Sequence, residues 1–239
     1  MTEFYNIKKH WDSVGGTLYQ YFWRSSLAHR NLSEKEQRFI KKFIPSKTIR
    51  ALDFGIGSGR ILNVLLENTN PESEIYGLDI SEAMVKYCQE KFGMNKKIKG
   101  IKVVKNSQDM DDYYKIKFNL ITTIRVLKYN SDWKKILINL FKILQEDGII
   151  IFTMPKKYLI SRLYKPKSPF RMPIGGIKKI AEQNNMKIVE IKGFAKIPDF
   201  FYGINNKLFS KIVLFCENVL RFIFGERLFE REVFYVFKK

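Results

Sequence analysis

The chain has 239 residues, 45% hydrophobic and 15% aromatic, which supplies a core and excludes a wholly disordered polymer. Lys and Arg number 43 against 24 Asp and Glu, a net charge of +19. Two cysteines, Cys88 and Cys216, exclude a disulfide framework and a four-cysteine zinc site, and with two histidines besides no metal site is expected.

The N-terminal MTEFYNIKKHWDS has no apolar run after its charges, so no secretory signal is expected. No stretch approaches the length of a membrane span, since residues 208–224 are interrupted by Lys211, Glu217 and Arg221. The expectation is a cytoplasmic protein, with membrane association as an alternative. The abundance of Lys, Ile and Asn together fits an AT-rich coding bias, which raises charge without functional demand. The charge is nevertheless uneven: residues 156–179 hold eight Lys or Arg and no acid, and 91–105 hold six Lys and no acid. A solvated face and a surface for phosphate groups are the two readings.

The first 30 residues are rich in aromatics without strand alternation, and predict one or two helices lying across the rest. Ser33 followed by Glu36 reads as a capping box for a helix carrying Phe39, Ile40 and Phe43, which Pro45 stops. Strands are then predicted at 49–56 (IRALDFGI), 74–80 (EIYGLDI), 98–105, 118–124 (FNLITTI) and 148–154 (GIIIFTM). Helices fall between them at 57–68, 81–92 (capped by Ser81) and 133–144. This alternation predicts a parallel α/β sheet covered on both faces. After Pro155 come a basic loop, a short helix at 177–184, a strand at 186–194, an amphipathic helix at 206–224 and a last strand at 232–237.

The informative segment is Asp53-Phe54-Gly55-Ile56-Gly57-Ser58-Gly59-Arg60. Three glycines on alternate positions leave a strand and open a helix, where backbone amides can meet a ligand closely. A second acid, Asp79, ends the next strand 20 residues after Gly59. There a carboxylate can accept both hydroxyls of a ribose.

LDFGIGSGR, YGLDISEAMV, Asp109-Met110 after the third strand and FNLITTIRVLKY resemble the class I S-adenosylmethionine-dependent methyltransferases over roughly residues 48–155. The resemblance implies a Rossmann-like, doubly wound sheet of seven strands, mostly parallel, with an antiparallel last strand between its neighbours and helices on both faces. It implies a helical lid at 1–45 and a catalytic domain at 46–239, with a basic insert at 156–176 and an apolar helix at 206–224.

By the same resemblance, Gly55, Gly57 and Gly59 pass under the methionine moiety and Asp53 lies near its amino group. Asp79 holds the ribose, and Ile80 and Met84 line the adenine pocket. Asp109 reads the adenine amino group beside Met110, with Gln108, Asp111 and Asp112 as substitutes. Thr123, Ile124 and Arg125 border the sulfonium and the acceptor. Asn119 stands where the family often has Asp, a position that is usually structural. The product is S-adenosylhomocysteine.

No catalytic base stands out. Tyr129 is a weak candidate, and a packing role suits it better; His10 and His29 are read as surface residues. A small-molecule acceptor, such as a sugar, lipid-linked or isoprenoid compound, is preferred to RNA or DNA. The loop TTIRVLKY lacks the Asn/Asp-Pro-Pro-aromatic tetrad of enzymes that methylate base amino groups, and no nucleic-acid module is appended. The alternatives are an RNA methyltransferase using its basic surface and a non-catalytic cofactor-binding protein. The 206–224 helix is read as packing on the core or on a second copy in a homodimer, with peripheral membrane contact as the alternative.

Overall fold

A computed structural model describes residues 2–104, 115–155, 170, 172–225 and 232–239. The residues proposed to read adenine, Asp109 and Met110 with Gln108, Asp111 and Asp112, lie outside the described residues, as does most of the basic insert at 156–176.

The chain opens with two helices, α1 (Thr2–Arg24) and α2 (Leu27–Lys41). Next come β1 (Arg50–Phe54), α3 (Arg60–Asn68), β2 (Glu74–Asp79), α4 (Glu82–Phe92), β3 (Ile98–Val103) and β4 (Phe118–Thr123). A 3-10 turn (Leu127–Tyr129), α5 (Trp133–Ile143), β5 (Leu144–Met154) and α6 (Ile174–Gln183) follow. The last elements are β6 (Lys187–Phe194), α7 (Asp199–Tyr202), α8 (Lys207–Phe224) and β7 (Glu232–Lys238).

One seven-stranded sheet has the order β3-β2-β1-β4-β5-β7-β6. Strands β1 to β5 pair in parallel, and β7 runs antiparallel between β5 and β6. From β1 the chain winds outward through β2 to β3, then returns to start β4 on β1's other side. That reversal opens a crevice beyond the carboxyl ends of β1 and β4, the place where doubly wound sheets bind ligands. Strand β7 is buried from Glu232 to Phe237, as a central strand covered on both faces must be.

Two apolar clusters pack the two faces of this sheet. One unites α2 and α3 through Phe39, Ile40, Leu62 and Leu65; the other packs α5 through Ile136, Leu137 and Leu140. The segment expected as a lid at 1–45 therefore holds two kinds of helix: α2 lies in the main core, whereas α1 lies on α4. Asn119 is structural, as expected: its Oδ1 accepts from the Arg50 amide at 2.8 Å and its Nδ2 donates to Gln145 at 2.9 Å.

Three expectations need correction. The helix holding Phe39 begins at Leu27, capped by Ser26, whose hydroxyl accepts from the His29 amide. Ser33 and Glu36 are mid-helix, and their spacing fits a capping box only because i and i+3 share a face. His29 is no surface residue: it is buried, ring to ring with Phe22 at 4.3 Å and stacked on Tyr202 at 6.1 Å. Strand β5 begins at Leu144 rather than Gly148, because a register shift against β4 absorbs Gln145–Gly148, with Asp147 at φ 63°.

Candidate active site

The turn after β1 is built to expose its backbone. Gly55, Gly57 and Gly59 have φ of 82°, 51° and 77°, the left-handed region in which a side chain is strained. Space forbids side chains as well. A Cβ on Gly55 would lie 2.1 Å from Val126 Cγ2, and one on Gly59 would lie 2.3 Å from Phe92 Cε2. Gly55 and Gly57 line the crevice, but Gly59 turns its α-carbon toward α4 and serves packing there.

Asp79, at the end of β2, fixes this turn. Its Oδ2 accepts from the Gly57 amide at 2.9 Å and its Oδ1 from the Ser81 amide at 3.0 Å. Ser81 caps α4 through the Met84 amide, as expected. Burial pushes the Asp79 carboxyl up, against the pull of those amides and that of Ile80. Each oxygen keeps a lone pair, and Asp79 lines the crevice.

Asp53 is buried one layer below. Thr122 donates to its Oδ1 at 2.8 Å, while Oδ2 has no hydrogen-bond partner of good geometry. Burial raises this carboxyl to about 7, despite the lowering by Thr122 and Arg60. A buried carboxylate with an unused oxygen is costly unless a cation or donor completes it. Cys88 is inert beneath the turn: burial pushes its thiol up to about 12, and Sγ donates to the Gly57 carbonyl at 3.3 Å.

The wall opposite comes from the segment after β4. Ile124, Arg125, Val126, Tyr129 and Asn130 line the crevice, with Ile80, Met84 and Val104 on the β2–β3 side. Thr123 does not reach it; its hydroxyl is buried without a partner. Arg125 reaches it with its charge already engaged. Its guanidinium pairs with both oxygens of Glu36 and lies 4.6 Å from the Trp23 ring, which Arg60 also approaches at 4.4 Å. Arg60 also pairs with Glu36, at 3.0 Å. Burial opposes the charge of Arg125, but Glu36 and Glu232 outweigh it and hold its proton more firmly than usual. Arg60 is pushed down by burial, with Glu36 countering.

The roof is α1. Trp11 and Tyr19 line the crevice, with Trp11 edge-on to Tyr129 at 5.6 Å and to Tyr19 at 5.3 Å. Helix α1 kinks at Gly15 and seats on α4 through Gly16, whose absent side chain leaves room for the Tyr87 ring. Asp12 accepts from the Ser81 hydroxyl at 2.7 Å, Tyr87 donates to Gln20, and Lys8 pairs with Glu82 at 2.6 Å. The cleft beneath the roof measures about 810 Å³, counted to its open mouth. Tyr19 lies over Gly57, its ring 3.0 Å from where a Cβ there would stand.

Among the sequence-predicted residues, the structure gathers Gly55, Gly57, Asp79, Ile80, Met84, Ile124, Arg125 and Tyr129 around one crevice, with Asp53 just beneath. Sequence reasoning missed Glu36, which joins the glycine turn to the segment after β4. No local pattern could reveal a helix residue paired with arginines 24 and 89 positions away. Among the described residues no cluster of metal-ligating side chains occurs.

Fold and crevice define a Rossmann-like protein with a nucleotide-type site at its topological switch point. The chain belongs to the methyltransferase-domain family, which matches residues 45–193. No curated protein matches the sequence. Solved structures similar to this one include magnesium protoporphyrin IX methyltransferase from Synechocystis PCC 6803 with bound SAH (13% identity, 98% of each chain covered, TM-score 0.65). The N-methyltransferase NodS from Bradyrhizobium japonicum WM9, in complex with S-adenosyl-L-homocysteine, is similar at 11% identity, covering 90% of this chain and 88% of that one, with TM-score 0.60. The [4+2]-cyclase SpnF is similar at 13% identity, covering 86% and 80%, with TM-score 0.63. At such identities the likeness establishes the fold; the family match establishes a methyltransferase.

Proposed function

We propose that this protein uses S-adenosylmethionine to methylate a small molecule, in the class of sugars, lipid-linked compounds or isoprenoids, under a lid formed by α1. The unused, buried Oδ2 of Asp53 carries the cofactor assignment. It lies below a turn whose backbone is bare, and an amino group would complete it. Asp79 has lone pairs for ribose hydroxyls, and Ile80 and Met84 offer an apolar wall for adenine. The residues present fit this cofactor, which supplies an activated methyl group on a sulfonium when bound.

The chain's own share of the chemistry is alignment and exclusion of water. Trp11, Val126, Ile124 and Tyr129 give the acceptor side an apolar, aromatic wall, and the roof suits a compact acceptor better than an extended nucleic-acid strand. Burial pushes the Tyr129 phenol up, so at neutral pH it orients an acceptor by donating a hydrogen bond rather than removing a proton. No histidine lines the crevice among the described residues. An acceptor that is nucleophilic without a protein base to deprotonate it is favoured.

The test is incubation with methyl-labelled cofactor, separately with total RNA and with lipid-soluble and nucleotide-sugar extracts. Label in a small-molecule fraction is expected. Label at a defined nucleotide of RNA overturns the acceptor class, and calorimetry without cofactor binding by the folded protein overturns the reading itself.

A further inference from the structure

Helix α8 is amphipathic in the reverse of the usual sense. Its buried positions are Ser210, Val213 and Glu217. Its solvent face carries Leu208, Ile212, Phe215, Val219, Phe222 and Ile223, at i, i+4, i+7, i+11, i+14 and i+15, which is one stripe of a helix. Phe215 is 67% and Phe222 92% exposed, and the neighbouring Phe200 is 58% exposed. So much contiguous apolar surface marks a docking site.

Glu217 and the Asn206 cap hold the helix in this orientation. Glu217 Oε1 accepts from the amides of Lys196 at 2.5 Å and Ile197 at 2.9 Å and from the Tyr202 hydroxyl. Asn206 caps the helix through the Phe209 amide at 2.9 Å. Rotating α8 to bury its phenylalanines would strand that carboxylate.

Charge decides what covers the stripe. Lys207 and Lys211 are exposed along its flank. On the same side a groove between α8, α2 and β6 is lined by Lys35, Arg38, Lys42, Lys192 and Arg221, with no acid among its lining residues. Burial and the neighbouring Arg221 push the Lys35 amine down, a sign of crowded positive charge. The one acid of α8, Glu217, is buried, so the flank of the stripe presents Lys207 and Lys211 with no exposed carboxylate on the helix beside them. An anionic surface with an apolar interior satisfies both features. No described helix is long and apolar enough to cross a membrane.

We propose that α8 lies in the interface of an anionic phospholipid bilayer, with its Phe215 and Phe222 stripe among the acyl chains and the Lys207, Lys211 and Arg38 side among the headgroup phosphates. This stands apart from the methyl-transfer reading, because vesicle binding needs neither cofactor nor acceptor.

The full chain is sedimented with vesicles of phosphatidylglycerol and phosphatidylcholine in equal parts, and with phosphatidylcholine alone. Binding to the anionic vesicles is expected, weakening as salt is raised. The pair Phe215→Glu and Phe222→Glu should lower affinity at least about tenfold with little change in melting temperature, since both side chains are already in water. Lys207→Glu with Lys211→Glu should abolish the preference for anionic lipid. Failure of the wild-type chain to bind anionic vesicles overturns the proposal, as does binding indifferent to the phenylalanine changes. A dimer by light scattering that the phenylalanine changes dissolve, without vesicle binding, assigns the face to a second copy instead.

Discussion

The glycine turn and helix α8 use their buried acids in opposite ways. In the β3-β2-β1-β4 half, acids sit under the glycine turn with capacity unused: Asp53 has a free oxygen, and Asp79 faces the crevice. At α8, Glu217 Oε1 accepts from two amides and a hydroxyl and Oε2 lies 3.8 Å from Arg221, while large apolar side chains face solvent. The turn holds polar groups that a small polar ligand would complete; the helix holds apolar groups that an extended surface would complete. Burial therefore marks function by what it leaves unmatched rather than by depth alone.

The largest effect is expected at Glu36, which joins the glycine turn to the segment after β4 by pairing with Arg60 and Arg125. Glu36→Ala removes the carboxylate shared by two buried guanidiniums, leaving Arg125 only Glu232 at 3.9 Å, and denaturant unfolding should show a loss of about 3–5 kcal/mol. Asp79→Ala should act on binding instead. Losing two charge-assisted hydrogen bonds to ribose costs about 3 kcal/mol, roughly a hundredfold in cofactor affinity by calorimetry. The glycine turn should loosen with it, since Gly57 loses its acceptor.

Asp53→Asn sharpens the contrast, because it should move stability and binding in opposite directions. Cofactor affinity should fall about tenfold or more, whereas the ligand-free protein should melt higher at pH 8, freed of a buried charge. The sign follows from the raised carboxyl. Folded Asp53 releases its proton near pH 7, an unfolded aspartate near 3.8, so native stability should decline as pH rises from about 4 to about 7 and then level off. Asp53→Asn should flatten that slope. Cofactor affinity should run the other way, weakening as pH falls below about 7, because the amino group needs the ionised carboxylate. A pH-independent affinity would remove Asp53 from the site.

The smallest effect is expected at the lid. Gly16→Ala places a Cβ 2.2 Å from the Tyr87 ring and should lift α1 from α4. Turnover should drop about three- to tenfold, with cofactor affinity and melting temperature nearly unchanged. Unaltered turnover would make α1 a static roof.

The sequence by itself determined the strand–helix rhythm, the glycine turn and the acid ending β2. These are local signals: a buried strand, positive-φ glycines and a cap such as Ser81 are set by residues close in the chain. Tertiary structure alone decided the rest. Glu36 passed for a helix cap because i and i+3 spacing is the same in a helix interior, and only the fold brings Arg60 and Arg125 to it. Gly59 was legible as part of the glycine turn, but only the packing of Phe92 shows that its bare α-carbon also makes room for α4. The pattern of α8 showed two faces without saying which one points inward. Apolar periodicity normally marks the core side; here Glu217, held by Lys196, Ile197 and Tyr202, turns the polar side in. Its partners lie in a loop and a short helix that no periodicity in α8 itself could reveal.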